Sequence, residues 1–297
     1  MTVAALPERQ PGLFAEFLEL TKFRISVAST FTATAGYVAF RRGVDLGLAT
    51  TLAGILLLAM ASCALNEVQE RHLDAQMERT RNRPLPRGVF QPGSAVVLAV
   101  LLALAGFMIL WAAHNLGSAL LGALAMGWYN AFYTPLKRVS AFAVVPGALI
   151  GALPPAIGWT AAGGSLAYPA VLALAFVYFI WQVPHFWLLV GLHGRGYEAA
   201  GFPTLLRLLG PERLARLTFT WICGTAATCA LLPLFGVLTG LPARLLLLGA
   251  AGWLVLSAAA LLKGPVQEGL LRRAFMNINI FALLLTAAVV LDPFLPF

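Results

Sequence analysis

Residues 62–88 read SCALNEVQERHLDAQMERTRNRPLPRG and lie at the end of a long apolar run. Within this stretch Asn66, Glu70 and Asp74 recur at every fourth position. On an α-helix each such step turns about 400° and rises about 6 Å, so the side chains form one slowly drifting stripe. We therefore expect a helix that presents an amide and two carboxylates on one face.

The stripe has the composition of a magnesium site that works together with phosphate. Carboxylate and amide oxygens are hard ligands, and Mg²⁺ usually keeps several waters and binds partly through substrate phosphates. Arginines that can hold a diphosphate bidentately follow at Arg79, Arg81, Arg83 and Arg87. The same pattern is typical of a solvated helix end in a soluble protein, so the rest of the chain decides between the two interpretations.

The composition excludes a soluble protein. The chain is 60% hydrophobic and 11% charged, with a mean hydropathy of +0.84, which is typical of a polytopic membrane protein. We predict an all-α integral membrane protein with about nine transmembrane helices and a single domain over residues 1–297. The predicted spans are 23–40, 47–66, 94–113, 116–134, 141–162, 168–190, 214–238, 243–262 and 275–295.

The net charge of +8 reports topology and not nucleic-acid binding. With the N-terminus in the cytoplasm, Arg41, Arg42 and Arg244 fall outside, while the other 17 of the 20 Lys and Arg residues, Arg9 among them, fall inside. Positive charge accumulates in cytoplasmic loops, so a site built on the basic loops faces the cytoplasm. The first 20 residues lack the layout of a cleavable signal, and we expect the first span to be retained.

A second polar cluster is NAFYTPLKR, residues 130–138. Tyr133 and Lys137 are four residues apart, with Pro135 between them to kink or break the helix. Lys137 and Arg138 then lie beside the inner membrane surface, where they either satisfy the positive-inside rule or bind phosphate.

A third cluster is WQVPHFW, residues 181–187, which places His185 deep in an apolar run. A polar group inside a membrane usually faces a bundle interior or a cavity. His185 is therefore either a hydrogen-bonded packing residue or a ligand. A basic metal site at a cytoplasmic mouth with an apolar interior behind it fits an enzyme that joins an isoprenoid diphosphate to a hydrophobic acceptor.

The chain resembles the UbiA-type intramembrane prenyltransferases, and within them the protoheme IX farnesyltransferase branch. The resemblance runs over nearly the whole chain, and MERTRNRPLPRG and WQVPHFW are specific to the haem branch. The matching segments are ELTKFRIS at 19–26, NEVQERHLDAQMERTRNRPLPRG at 66–88, YTPLKR at 133–138, GALIGALPPAIGWTAAGGSL at 147–166, WQVPHFW at 181–187, YEAAGFP at 197–203 and RRAFMNINIF at 272–281.

The resemblance implies a fold of nine transmembrane helices around a central cavity, and it assigns roles to particular residues. Asn66, Glu70 and Asp74 take the place of the family's first acidic motif, which binds diphosphate through Mg²⁺. Tyr133 and Lys137 match the Tyr-x-x-x-Lys pair near the diphosphate. Further candidates for binding the diphosphate charge are Arg79, Arg83, Arg138 and Arg195.

The reaction implied by the resemblance is the transfer of a farnesyl group from farnesyl diphosphate to haem B, giving haem O and diphosphate. By their position alone, His185 and His193 are candidate ligands of the haem iron. The resemblance also implies a multi-pass protein of the inner (plasma) membrane, and haem A synthase or a terminal oxidase as downstream partners.

One departure from the family concerns the second acidic motif. Gly194, Arg195 and Gly196 stand where the family has carboxylates, and the nearest acid, Glu198, lies on the other side of Tyr197. Arg195 could replace a second metal ion as a fixed cation. The departure also leaves two other functions open, a UbiA-type prenyltransferase with another hydrophobic acceptor and a degenerate, non-catalytic haem-binding homologue.

Overall fold

The computed structural model describes residues 12–263 and 265–295, so Arg9 and most of the predicted uncleaved N-terminus lie outside the described residues. Every regular element in the described part is helical. A π-helical turn, Trp128–Tyr133, joins α6 to α7, and 3-10 turns follow α14 and α15 at Ala259–Leu262 and Asp292–Phe294. The helices are α1 Leu13–Leu20, α2 Phe23–Phe31, α3 Ala33–Arg41, α4 Leu46–Asp74, α5 Pro92–Ala113, α6 Leu116–Gly127, α7 Thr134–Leu136, α8 Val144–Gly147, α9 Leu149–Ala161, α10 Pro169–Ala199, α11 Leu205–Leu209, α12 Pro211–Thr228, α13 Leu231–Leu234, α14 Leu241–Ala258 and α15 Glu268–Leu291.

The prediction of an all-α integral membrane protein is confirmed. Within the described residues, seven helical stretches are long and apolar enough to cross a bilayer. They match seven of the predicted spans: Leu46–Asp74, Pro92–Ala113, Val144–Ala161, Pro169–Ala199, Pro211–Leu234, Leu241–Leu262 and Glu268–Phe294. The predicted span 23–40 is two helices of nine residues each, α2 and α3. The predicted span 116–134 is α6 continued by the π-helical turn, so the count of nine stays a prediction.

Helices approach closely where small residues face each other. A Cβ on Gly158 of α9 would lie 2.1 Å from the carbonyl oxygen of Ala33 on α3, and a Cβ on Gly106 of α5 would lie 2.6 Å from that of Gly54 on α4. Lipid is as apolar as leucine, so tight backbone packing is a main source of helix association in a membrane. The outward face of α5 is apolar, with Leu101 59% exposed, as contact with lipid requires.

The end of the bundle at which α4 begins carries the three cations predicted to lie outside. The Arg42 guanidinium donates to the Asp292 carboxylate at 2.8 Å, and the Arg244 guanidinium donates to the Leu238 carbonyl. Arg41 pairs with Asp45, directly before α4. The 29 residues of α4 carry the chain about 42 Å from this end to Asp74 at the opposite one.

At that opposite end α10 is longer than the sequence indicates. The predicted span ends at residue 190, but the helix continues to Ala199 through Gly194 and Gly196. Glycine lowers intrinsic helix propensity by about 1 kcal/mol, and packing compensates for it here, because Gly194 is buried against Leu206. His193 and Arg195 consequently lie in the last turns of a helix and not in a loop.

Candidate active site

The last turns of α4 bring the stripe into a buried site. Asn66, Glu70 and Asp74 are 1%, 5% and 1% exposed, and all three lie in the same helix. The Asn66 amide nitrogen donates to Glu70 Oε2 at 3.2 Å and to Thr134 Oγ1 at 3.2 Å. The interpretation as a solvated helix end is therefore wrong, because none of the three side chains faces solvent.

Each carboxylate of the stripe is paired with one cation from another segment. Lys137 Nζ donates to Glu70 Oε2 at 2.7 Å, and Arg83 Nη1 donates to Asp74 Oδ2 at 2.6 Å. Burial by itself would lower the pKa of Arg83, but the Asp74 carboxylate outweighs it and the pKa is raised. A short turn holds Arg83 in place, since Thr80 Oγ1 donates to the Asp74 carbonyl and the Arg83 amide donates to the Thr80 carbonyl.

Lys22 is a member of the site that the sequence reasoning counted only as a topological charge. Its Nζ donates to Asn66 Oδ1 at 2.8 Å. Its backbone is left-handed, with φ 46°, a conformation that is costly for a non-glycine residue and tends to cluster at functional sites. Burial lowers the pKa of the Lys22 amine, and the nearby cations Arg83 and Lys137 lower it further. A bound anion would reverse that effect.

Glu67 is a second residue that the four-residue spacing did not reveal. It is fully buried, and its Oε1 accepts a hydrogen bond from the Leu85 amide at 3.1 Å. Because this contact joins α4 to the segment after it, Glu67 helps to hold the basic segment 75–91 against the stripe. Only the fold places Glu67 against Leu85, which is 18 positions away in the chain.

The donor set fits a magnesium ion that shares its coordination with phosphate. Glu70 Oε1 is buried and accepts no hydrogen bond, so it is available as a ligand beside Asp74. Asn66 Oδ1 is occupied by Lys22, and its predicted role as a ligand stays a prediction. No group of three or more His, Cys, Asp and Glu side chains suitable for a metal occurs in the described part of the chain. Waters and substrate phosphates would have to complete the shell, which is the usual arrangement for Mg²⁺.

The aromatic ring of Tyr133 contacts the amine of Lys137. The Lys137 amine lies 5.6 Å from the centroid of the Tyr133 ring and 5.9 Å from that of Phe202, distances typical of cation–π contacts. The Tyr133 ring in turn stacks on Phe186 of α10 at 5.9 Å. Pro135 lies in the first turn of α7, directly after the π-helical turn. The helix continues past Pro135 to Leu136, and the Lys137 amide still donates to the Tyr133 carbonyl. The helix is therefore not broken between Tyr133 and Lys137, and a kink there stays a prediction.

Three other arginines that were predicted to bind the diphosphate, Arg79, Arg138 and Arg195, do not contact the stripe. Arg79 and Arg195 line a cavity of about 740 Å³ between the basic segment, the end of α10 and the start of α15. The Arg79 guanidinium donates to the Tyr197 hydroxyl at 3.1 Å, and Arg138 donates to the Gln69 carbonyl at 2.6 Å. Their roles as ligands of a diphosphate stay predictions.

The two candidate histidines lie in different surroundings. His185 is enclosed by aromatic rings, with Trp181 and Phe275 at 5.0 Å and Phe186 at 5.5 Å between centroids. Its Nδ1 is buried without a hydrogen-bond partner. His193 is exposed and lines the cavity. The structure therefore does not bring the two into one site.

The departure at the second acidic motif has a steric consequence. A Cβ on Gly194 would lie 2.8 Å from Leu206 Cδ2, so a longer side chain at this position requires Leu206 to move. Glu198 does not replace the missing carboxylates at the stripe, because its Oε1 accepts the hydroxyl of Thr204, the residue that caps α11.

These features define an all-α integral membrane protein with a buried site of paired carboxylates and cations at one end of its helices. The model of the UbiA prenyltransferase family matches residues 27–285, and the chain belongs to that family.

Named relatives and solved structures agree with this assignment. A protoheme IX farnesyltransferase from Geobacter sulfurreducens is 43% identical over 224 residues, covering 74% of this chain and 82% of that protein. One from Oleidesulfovibrio alaskensis is 34% identical over 273 residues, covering 92% and 94%. The apo structure of a UbiA homologue from Aeropyrum pernix K1 has a TM-score of 0.75 at 18% identity, covering 91% of this chain and 98% of that one. A UbiA homologue from Archaeoglobus fulgidus bound to GPP and Mg²⁺ has a TM-score of 0.71 at 15% identity, covering 93% and 99%. At these identities the two structures show the fold alone.

Proposed function

We propose that this protein is a magnesium-dependent prenyltransferase that joins farnesyl diphosphate to haem B and releases haem O and diphosphate. The observation that carries the proposal is the buried stripe Asn66–Glu70–Asp74, held against Lys137 and Arg83. Support for the acceptor comes from the relatives named protoheme IX farnesyltransferase, 34–43% identical over most of the chain.

The chain's own residues would stabilise the departing diphosphate. Mg²⁺ bound by Glu70 and Asp74 would supply additional positive charge at the diphosphate oxygens. As the allylic C–O bond breaks, negative charge grows on the diphosphate, and Lys137 and Arg83 are already fixed beside its binding place. The aromatic side chain of Tyr133 lies next to Lys137, where its ring can face the allylic cation.

The farnesyl cation then adds to a vinyl group of haem B. Carbon–carbon bond formation moves the positive charge to the neighbouring carbon, and a water molecule captures it and loses a proton, leaving a hydroxyethylfarnesyl chain. His185 or His193 would bind the haem iron during these steps. A His→Ala change that leaves haem affinity and its absorption spectrum untouched rules out that histidine.

We also propose the setting in which the reaction occurs. The whole chain, 1–297, would form one domain of the inner (plasma) membrane, with the stripe facing the cytoplasm. The distribution of positive charge supports this orientation. A haem A synthase or a terminal oxidase would use the product.

The test is a reconstitution of the purified protein in lipid with haem B, farnesyl diphosphate and Mg²⁺, followed by mass spectrometry of the porphyrins. We expect farnesylated haem from the wild type and none from Asp74→Ala, because that change removes a magnesium ligand and leaves Arg83 unpaired. Glu212→Gln, an exposed acid on α12, is the matched control and should retain activity.

A second candidate function, transfer to another hydrophobic acceptor, is favoured by the absence of carboxylates at Gly194-Arg195-Gly196. In the same reconstitution, haem binding without product would support either another acceptor or a non-catalytic role. Replacing haem B with other hydrophobic acceptors separates the two. A prenylated product from one of them would support another acceptor, and prenylation of none of them would support a non-catalytic role.

A further inference from the structure

Five of the cations at the polar end form two separate groups. Lys22, Arg83 and Lys137 are bonded to the stripe. Arg79 and Arg195 line the cavity of about 740 Å³, and no residue of the stripe lines it. An enzyme that joins two substrates needs two binding sites, and the first group already fits the diphosphate.

The two cavity guanidiniums are available for an anionic ligand. Among the described residues neither takes part in an ion pair, and Arg79 is bonded to the uncharged Tyr197 hydroxyl. Of the acids that line the same cavity, Glu268 is ion-paired with Arg272 and Glu198 accepts the Thr204 hydroxyl. Glu78 is the third acid in the lining.

The remaining walls of the cavity favour a flat amphiphilic ligand. Gly191 and Gly196 have no side chains that project from α10 into the cavity, and nothing lies within 4 Å of a Cβ placed on Gly196. The volume lies within the range of about 300–1,000 Å³ that is usual for small-molecule sites. The apolar part of the lining consists of Met77, Leu192, Leu206, Pro211, Val266 and Leu271.

We propose that this cavity is the acceptor site, and that it recognises a tetrapyrrole through its two propionate carboxylates. Arg79 and Arg195 pair with the propionates, the apolar wall packs against the ring, and His193 offers an imidazole to the iron from the same wall. His185 does not line the cavity and has no part in binding the acceptor. This inference rests on the proposed function, and it assigns Arg79 and Arg195 to the acceptor instead of the diphosphate.

Two porphyrins test the assignment in the absence of farnesyl diphosphate. Haem B and its dimethyl ester share the ring and the iron, but the ester lacks the propionate charges. We expect Arg195→Gln and Arg79→Gln each to weaken the binding of haem B about tenfold, the cost of losing one charge-assisted hydrogen bond. The binding of the ester should stay unchanged in both variants. Arg207→Gln, an exposed arginine on α11 outside the cavity lining, should bind both porphyrins as the wild type does.

Two further measurements complete the test. His193→Ala should alter the Soret band of bound haem, whereas His185→Ala should leave it unchanged. In steady-state assays the Arg195 and Arg79 variants should raise the KM for haem B and leave the KM for farnesyl diphosphate unaltered.

Several results would overturn the proposal. Equal weakening of haem and ester, no weakening of either, a raised KM for farnesyl diphosphate alone, or no haem binding by the wild type would each do so. The binding experiment does not require turnover. Loss of the proposed farnesyl transfer with propionate-dependent binding intact would therefore overturn the proposed function and leave the acceptor site standing.

Discussion

Lys22 bonds to the amide of the stripe from a turn that is 44 residues away in sequence. Its buried amine costs free energy as long as no anion compensates its charge, and the diphosphate would supply that anion. Under the proposed function, Lys22, Arg83 and Lys137 would each gain a further partner when the diphosphate binds. This arrangement makes a prediction about Lys22 alone.

Lys22→Met should raise the KM for farnesyl diphosphate about tenfold or more, because one charge-assisted contact is lost. The KM for haem B should stay the same, since Lys22 does not line the cavity. Lys22→Arg, which keeps the charge, should recover part of the affinity. Arg24→Met is the control, because Arg24 is exposed two positions further along. An unchanged KM in Lys22→Met would remove Lys22 from the diphosphate site.

At the end of the molecule where α4 begins, the surroundings of His114 lead us to predict that stability depends on pH. Its Nε2 lies 2.9 Å from Thr50 Oγ1 and 3.0 Å from Thr51 Oγ1, which joins the end of α5 to the start of α4. Burial lowers the pKa of His114 below 6.5, and the Ala161 carbonyl opposes this only in part. The folded protein therefore binds the proton less well than the unfolded chain does. Stability should fall as the pH drops below 6.5 and should be unaffected by His114 above it.

Thermal unfolding in detergent at pH values on either side of 6.5 measures this effect. In His114→Gln, which keeps a hydrogen-bonding group, the decrease in the unfolding temperature on the acid side should be smaller than in the wild type. An equal decrease in both proteins would assign the pH dependence to other groups.

At the scale of the helix, the contact between α3 and α9 depends on the absence of side chains. A Cβ on Gly158 would lie 2.1 Å from the Ala33 carbonyl oxygen. This oxygen is a backbone atom, so it cannot move aside by a change of side-chain rotamer. Gly158→Ala should therefore destabilise the protein by about 1–3 kcal/mol, as overpacking usually does. Gly249→Ala on α14 is the matched control, since its Cβ would have no neighbour within 4 Å.

Reversible unfolding in mixed micelles is the measurement for this pair of variants. The gain in helix propensity is the same for both changes, so only the close approach at Gly158 distinguishes them. Equal stability of the two variants would show that α3 and α9 can move apart at no cost.

The ends of a helix can be predicted when residues near them in the sequence determine where they lie, and not when packing against a distant segment does. The end of α4 was predictable because the four-residue spacing of Asn66, Glu70 and Asp74 is a property of one helix. The extension of α10 to Ala199 was not, because its glycines favour a loop and only the packing of Gly194 on Leu206 favours the helix. The break between α2 and α3 was not predictable either, because the residue at the break is Thr32 and not a proline or a glycine.

The same limit applies to the site. Asn66, Glu70 and Asp74 recur at regular spacing in the sequence, as do Tyr133 and Lys137, so the sequence alone predicts these candidates. Lys22, Glu67 and the cavity that separates Arg79 and Arg195 from the stripe depend on contacts between segments that are distant in the chain. Those contacts are properties of the packed helices and leave no periodic signal.

For the whole molecule, the distribution of charge and the arrangement of the helices give the same polarity. The three cations predicted to lie outside are all at the end where α4 begins, and the basic segment with the stripe is at the other end. Positive charge is retained on the cytoplasmic side of a membrane, so the stripe should face the cytoplasm. Two exposed positions can report this orientation, Val44 between α3 and α4 and Arg81 in the basic segment.

The measurement is cysteine labelling in a protein that carries Cys63→Ala, Cys223→Ala and Cys229→Ala. An impermeant maleimide should modify Val44→Cys in intact cells and Arg81→Cys only in inverted membrane vesicles. Retained haem farnesylation in both variants would show that each is folded. The reverse pattern of labelling would place the stripe outside the cytoplasm, so the positive-inside rule would fail for this chain and farnesyl diphosphate would have to reach the site from the opposite side of the membrane.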